Sequence, residues 1–272
     1  MNEPDDRFQM EDIPVKISSS DPTDFSSKTQ GVLLNLLLQL ADNKYMLGRR
    51  YAEWTNSAPL LEAAVAAAAM TQDELGHARS IYPLFRTFPD APPVLKKEED
   101  RTDLINITFL DEPFNHWTEF VAACFLFDQA LSVVFEAARE SVFEPLRQRA
   151  NKILQEEKFH AMYGATWLRS LSPQGTPARR EMEAAIQRIW PETICWLGQP
   201  GERHQQYALE EGLLNDDVET LRQKLLKRVG PLLVELGYEL PIRYDDQAGR
   251  WELTAEPPWE RWDAKTRKLK RF

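Results

Sequence analysis

The chain has 272 residues, of which 33 are basic and 43 acidic, for a net charge of −10; 43% are hydrophobic and 28% charged. A chain so composed can bury a sizeable core, which excludes a disordered bulk, and it offers no cationic face for phosphate backbones, so nucleic acid is not an expected partner. Only 11 glycines and two cysteines, Cys124 and Cys195, are present, which argues against glycine-rich nucleotide loops, a disulfide framework and cysteine-ligated zinc or iron–sulfur sites.

In chain order, residues 1–27 are aperiodic and rich in Asp, Pro and Ser. They predict a flexible arm without a secretory leader, and with the unpaired cysteines this points to the cytoplasm. Residues 28–240 predict a helical domain and 241–272 a C-terminal extension. Leu33, Leu34, Leu37, Leu38, Ala41, Tyr45 and Leu47 recur at helical spacing and predict a first helix over 30–54. The alanine run 63–69 predicts a second over 60–85. Pro89, Pro92 and Pro93 open a connection to about residue 115, long enough to cross a bundle.

Two more helices are predicted over 117–140 and 146–171, with a break at 142–145. The most apolar segment, Phe120 to Phe135, contains Asp128 and Gln129 and falls short of the ~20 residues of a membrane span. It reads as a core helix, and no membrane partner is expected. Helices over 178–196 and 216–236 follow. Alternating Ile242, Tyr244, Trp251 and Leu253 around residues 246–249 predict a small hairpin. The fold class is therefore all-α: a four-helix bundle of two helical hairpins, with additional C-terminal helices and a short hairpin tail.

The second helix of each hairpin carries Glu-x-x-His, Glu74 with His77 and Glu157 with His160. Residues three apart share a helical face, so each pair can aim a carboxylate and an imidazole into one cavity. A bundle site also needs a carboxylate at the same height on each partner helix. Counting back through the hairpin turns leads to Asp42 and Asp128. A phase shift of one position would turn Asn43 or Gln39 inward in place of Asp42. The charges sit on apolar stripes, and two divalent cations would offset four buried carboxylates. That ligand set, Asp42, Glu74, His77, Asp128, Glu157 and His160, suits iron, with manganese or a mixed pair as the alternative, better than structural zinc. Glu53 and Glu136 read as surface or supporting groups and Cys124 as packing. Tyr45, Phe127, Phe135 and Trp167 read as core, His116 and His204 as exposed or capping, and the basic end 265–272 as solvated.

The stretches Leu40-Ala-Asp-Asn43, Ala52-Glu-Trp54, Asp73-Glu-Leu-Gly-His-Ala-Arg79, Phe127-Asp128, Glu157-Lys-Phe-His160 and Ile189-Trp190 resemble the large-subunit family of phenylacetyl-CoA epoxidases, ferritin-like ring 1,2-monooxygenases. The resemblance covers about residues 30–200. It implies two irons bridged by Glu74 and Glu157 as the catalytic carboxylates, His77 and His160 as terminal ligands, and dioxygen used to epoxidise an aromatic acyl-CoA. It also implies a separate reductase and a homo- or hetero-oligomer. The family has a catalytic subunit and a related structural one that has lost ligands. Leu75-Gly76 and Ala78-Arg79 are closer to the structural wording, and Asp42 and Asp128 stand where the catalytic branch has Glu. A non-catalytic scaffold for a catalytic paralogue is thus the alternative, with a ferritin-like metal oxidase as a third reading.

Overall fold

A computed structural model of the protein describes residues 18–89, 91 and 103–270. Most of the expected arm, the Pro92-Pro93 stretch and the last two residues of the basic end lie outside the described residues. Helix α1, Ser27–Ala52, starts where the Ser26 hydroxyl accepts a hydrogen bond from the Thr29 N–H at 3.2 Å, an N-cap that satisfies one of the first-turn donors. Helix α2, Leu61–Ile81, runs back against it. The two approach closely because Gly48 has no side chain: a Cβ there would lie 2.8 Å from Leu75 Cγ. The α-helix predicted to reach Phe85 ends at Ile81 and tightens into a 3₁₀ segment, Tyr82–Thr87, led by Pro83. Proline has no N–H for the helical ladder and its ring crowds the preceding turn.

The second hairpin pairs a rod over Trp117–Ala137 with α5, Glu144–Leu171. The rod consists of α3 (Trp117–Ala122), a π-helical turn (Ala123–Phe127) and α4 (Asp128–Ala137). Contrary to the sequence reading, it is long and apolar enough to cross a membrane, with 21 residues and a mean hydropathy of 1.7; 94% of its apolar window is nonetheless buried inside the protein. It is the core helix of the bundle. The π turn lies against Gly164 of α5, where a Cβ would stand 3.1 Å from both Cys124 Sγ and the Phe125 nitrogen.

Beyond the bundle come α6 (Pro177–Leu197), α7 (Arg203–Glu210) and α8 (Val218–Glu235). Helix α7 was not anticipated, since its polar sequence reads as a loop; it places His204 on a helix and docks through Tyr207, whose hydroxyl lies 3.1 Å from Thr29 Oγ1 of α1. The predicted hairpin is present as β1 (Ile242–Asp245) and β2 (Arg250–Leu253), antiparallel with Ile242 opposite Leu253 and Asp245 opposite Arg250. A second small hairpin, β3 (Trp262–Asp263) with β4 (Lys268–Leu269), was not foreseen. It takes Arg267, Lys268 and Leu269 out of the solvated tail expected there, with Arg267 and Leu269 buried and Lys268 paired with Asp111 at 2.6 Å, while Lys265, Thr266 and Lys270 stay exposed.

Aromatic packing closes one end of the bundle: Trp117 stacks on Phe120 at 4.3 Å and meets Trp54 at 5.5 Å and Trp167 at 5.2 Å edge-on. Phe127 packs edge-on against Trp196 at 5.3 Å, and Phe135 is fully buried. Both are ordinary core.

Candidate functional site

Midway along the bundle, α1, α2, α4 and α5 bring polar side chains into an otherwise apolar interior. Glu74 and His77 of α2, Asp128 of α4, and Glu157 and His160 of α5 converge there, each at most 3% exposed. The spacing argument thus places five of its six residues in one cluster. At the centre stands a residue it did not anticipate. The Lys44 ammonium of α1 donates to Asp128 Oδ1 at 2.5 Å, Glu157 Oε1 at 2.6 Å and Glu74 Oε1 at 3.1 Å.

Asp42 does not join the cluster. Its carboxylate accepts hydrogen bonds from the Tyr82 hydroxyl and the Ile105 N–H, both at 2.9 Å. Asn43, the weighed alternative, also faces away: its Oδ1 accepts from the Ile107 N–H at 3.0 Å and its Nδ2 donates to the Ile105 carbonyl at 3.2 Å. Gln39 bonds to Asn35 one turn back along α1. Asp42 and Asn43 therefore anchor the connection where it crosses α1. This explains the wrong phase: with the crossing strap on one side and three helices on the other, α1 is buried almost all round near residue 42, and hydropathy no longer tells inward from outward. One signal was available, because Lys44 is a cation at helical spacing from Leu40, Ala41, Leu47 and Tyr51, all fully buried.

The two histidines are oriented alike. His160 turns Nδ1 inward, 3.0 Å from Asp128 Oδ2 and 3.1 Å from Glu74 Oε1, while Nε2 lies 3.4 Å from Asp73 Oδ2. His77 has Nδ1 3.3 Å from Glu157 Oε1 and Nε2 2.6 Å from Glu156 Oε2. Asp73 and Glu156, each preceding a cluster glutamate, are thus outer partners that tether the imidazoles; the sequence reading missed them. The Ser132 hydroxyl donates to Glu157 Oε2 at 3.0 Å. Outside Glu157, a groove of about 700 Å³ opens between α4, α5 and α8, lined by Gln129, Ser132, Leu154, Met162 and Val229.

The electrostatics follow from this geometry. Burial alone would lower the Lys44 pKa, but Asp128, Glu157 and Glu74 outweigh it and hold the ammonium charged, well above its usual range. Burial would likewise lower His160 and His77, yet the facing carboxylates raise both. Burial pushes Glu157 up, and Lys44, His160 and His77 pull it well below the carboxylate range. Glu74 differs: burial and the neighbouring Asp128 raise it to about 7. The carboxylates are offset by side chains, principally the Lys44 ammonium bonded to three of them and the imidazole of His160, whose pKa they raise.

Glu74, Asp128, Glu157 and His160 offer ligand atoms all within 4.8 Å of one another, a buried set that could hold a metal ion and has the composition of a di-iron site. An ion bound at about 2.0–2.2 Å to Glu74 Oε1, Asp128 Oδ1 and Glu157 Oε1 would, however, have to stand where Lys44 Nζ stands. With Lys44 inward the residues do not fit a pair of irons, and the charge that a metal would neutralise is already met.

Four helices in two hairpins, two inward Glu-x-x-His pairs and a long crossing connection define a ferritin-like bundle protein with a carboxylate–histidine cluster at its centre. The chain belongs to the phenylacetic acid catabolic protein family, which it matches over residues 10–271. It is similar to one of the subunits of the 1,2-phenylacetyl-CoA epoxidase of Escherichia coli (strain K12), with 26% identity over 155 residues. That match spans 56% of this chain and 62% of the relative, so the chain covers less than two thirds of the relative's length.

Proposed function

We propose that this chain is the scaffolding subunit of a phenylacetyl-CoA epoxidase-type monooxygenase. In this reading a catalytic paralogue holds the iron pair and a separate reductase supplies electrons for epoxidation of an aromatic acyl-CoA with dioxygen, all in the cytoplasm. The observation that carries it is the Lys44 ammonium bonded to three buried carboxylates. Oxygen activation by this family's chemistry needs two metal ions with open coordination positions, and a lysine in their place supplies charge without redox capacity. The cluster then acts as a polar keystone, fixing the four helices in register.

The test is iron content together with reconstituted turnover. The chain, expressed with iron in excess, is expected to contain well under one iron per molecule. Combined with a catalytic paralogue and reductase it is expected to support phenylacetyl-CoA-dependent oxygen uptake that survives His77→Gln and His160→Gln. Two irons per chain, with turnover abolished by those substitutions in an intact complex, would refute the proposal.

A second reading is favoured by the convergence of both Glu-x-x-His pairs and by the groove that reaches Glu157. In it the chain is itself the di-iron monooxygenase component, with Glu74, His77, Asp128, Glu157 and His160 as ligands, and an acyl group enters along α4. It requires Lys44 to leave a place in which the residue is wholly buried. The same iron measurement separates the two readings.

A further inference from the structure

We infer that Lys44 alone excludes a metal from this bundle, and that Lys44→Glu converts the cluster into a centre that binds a first-row divalent ion. The inference rests on the scaffold reading of the site and goes beyond it, because it assigns the loss of metal to one residue and treats the remaining shell as intact.

Reach is the first argument. A glutamate carboxylate oxygen ends one bond nearer its Cα than a lysine nitrogen does. A glutamate at position 44 would therefore stop about 1.5 Å short of the present Nζ, leaving space at the point the other carboxylates share. A metal–oxygen bond of about 2.0–2.2 Å is longer than that gap by about half an ångström, so the ion would sit just beyond the present Nζ, toward the carboxylates that now lie 2.5, 2.6 and 3.1 Å from it. The side chain would come from α1, the one bundle helix that contributes no ligand at present. Asp42 cannot serve, because its two oxygens are committed to Tyr82 and Ile105.

Charge is the second. Replacing an ammonium by a carboxylate leaves the cluster short of two positive charges, the charge of one divalent ion. Buried carboxylates in that state need a cation or protons.

Orientation is the third. Both imidazoles already point Nδ1 at the centre and tie Nε2 to an outer carboxylate, His160 to Asp73 and His77 to Glu156. That is the arrangement by which metal-binding histidines are held in orientation and tautomer. Glu74 Oε2 is buried with no hydrogen-bond partner among the described residues, a ligand atom held in reserve.

The experiment equilibrates wild-type protein, Lys44→Glu and Lys44→Ala with Mn²⁺, removes free ion, and measures manganese per chain and melting temperature with and without EDTA. The expected result is about one or more Mn²⁺ per chain in Lys44→Glu, with a melting temperature raised by several degrees and reversed by EDTA. Lys44→Ala should bind more weakly and the wild type should bind none. A third variant, Lys44→Glu with Glu74→Gln and His160→Gln, should lose the ion. If Lys44→Glu fails to fold with or without Mn²⁺, Lys44→Ala decides. Folded Lys44→Glu that takes up no Mn²⁺, or, where Lys44→Glu does not fold, folded Lys44→Ala that takes up none, with the wild type also empty, overturns the inference and leaves the scaffold reading standing. Stoichiometric Mn²⁺ in the wild type overturns both.

Discussion

Lys44 and its three carboxylates show how a buried charge is tolerated. Each partner has lost its water and has short charge-assisted hydrogen bonds in exchange. Removing one half leaves the other uncompensated. Lys44→Met, which keeps the bulk and drops the charge, is expected to lower the free energy of unfolding by about 3–5 kcal/mol at neutral pH, measured by urea denaturation monitored by helical circular dichroism. The pH dependence has a definite sign. Glu74 is raised from 4.5 to about 7 in the folded protein, so the folded state holds its proton more tightly. Its contribution to stability is complete below the unfolded value of 4.5 and is lost as pH rises through about 7. Glu157 is depressed and acts oppositely: its contribution is present above its unfolded value and is lost as acid protonates it. Stability should therefore peak in mildly acidic solution and fall as pH rises from about 4.5 to about 7, and Glu74→Gln should flatten that fall; the raised His77 and His160 carry a further fall above their unfolded value of 6.5, which the variant keeps. An equally steep fall in the variant would show that another group controls it. At this scale the two Glu-x-x-His pairs and Asp128 were legible because three-residue spacing and hairpin height are geometric. Lys44 was not, because a lone lysine in a helical stripe ordinarily extends its stem to water, whereas here three carboxylates of the neighbouring helices hold it inward.

Among the elements, the crossing connection and the π turn do most to place the cluster. Asp42 serves the former. Asp42→Ala deletes the carboxylate that accepts from the Tyr82 hydroxyl and the Ile105 N–H and should cost about 1–3 kcal/mol through the loss of those two bonds. Metal uptake by the Lys44→Glu protein should be unchanged by it, whereas a ligand role for Asp42 would show as lost manganese. Gly164 serves the latter: a methyl there would press on the backbone of Phe125, which cannot yield as a side-chain tip can. Gly164→Ala is expected to destabilise by about 1–3 kcal/mol. Gly76, exposed on α2 with nothing within 4 Å of its would-be Cβ, is the control, and Gly76→Ala should stabilise by about 0.5–1 kcal/mol through helix propensity. Melting curves of the two variants should move in opposite directions. Long amphipathic helices such as α1, α5 and α6 were legible from periodicity alone. The π turn was not, because an inserted residue in an all-apolar run leaves no mark on hydropathy. Helix α7 was missed because it docks through a few side chains, such as Tyr207 on Thr29, rather than through an apolar stripe.

At the level of the molecule, two hairpins meet on a site whose carboxylates and imidazoles come from one helix of the first and both helices of the second; the remaining helix brings the ammonium. Since the balancing charge is covalently attached, removal of divalent ions should not loosen the fold. Prolonged dialysis against EDTA is expected to leave helix content and melting temperature unchanged, and a drop of several degrees would instead show that a bound ion contributes to stability. A bundle that carries its own central cation is complete as soon as the polypeptide has folded. While Lys44 fills the centre, neither the supply nor the oxidation of iron bears on the charge balance of the cluster.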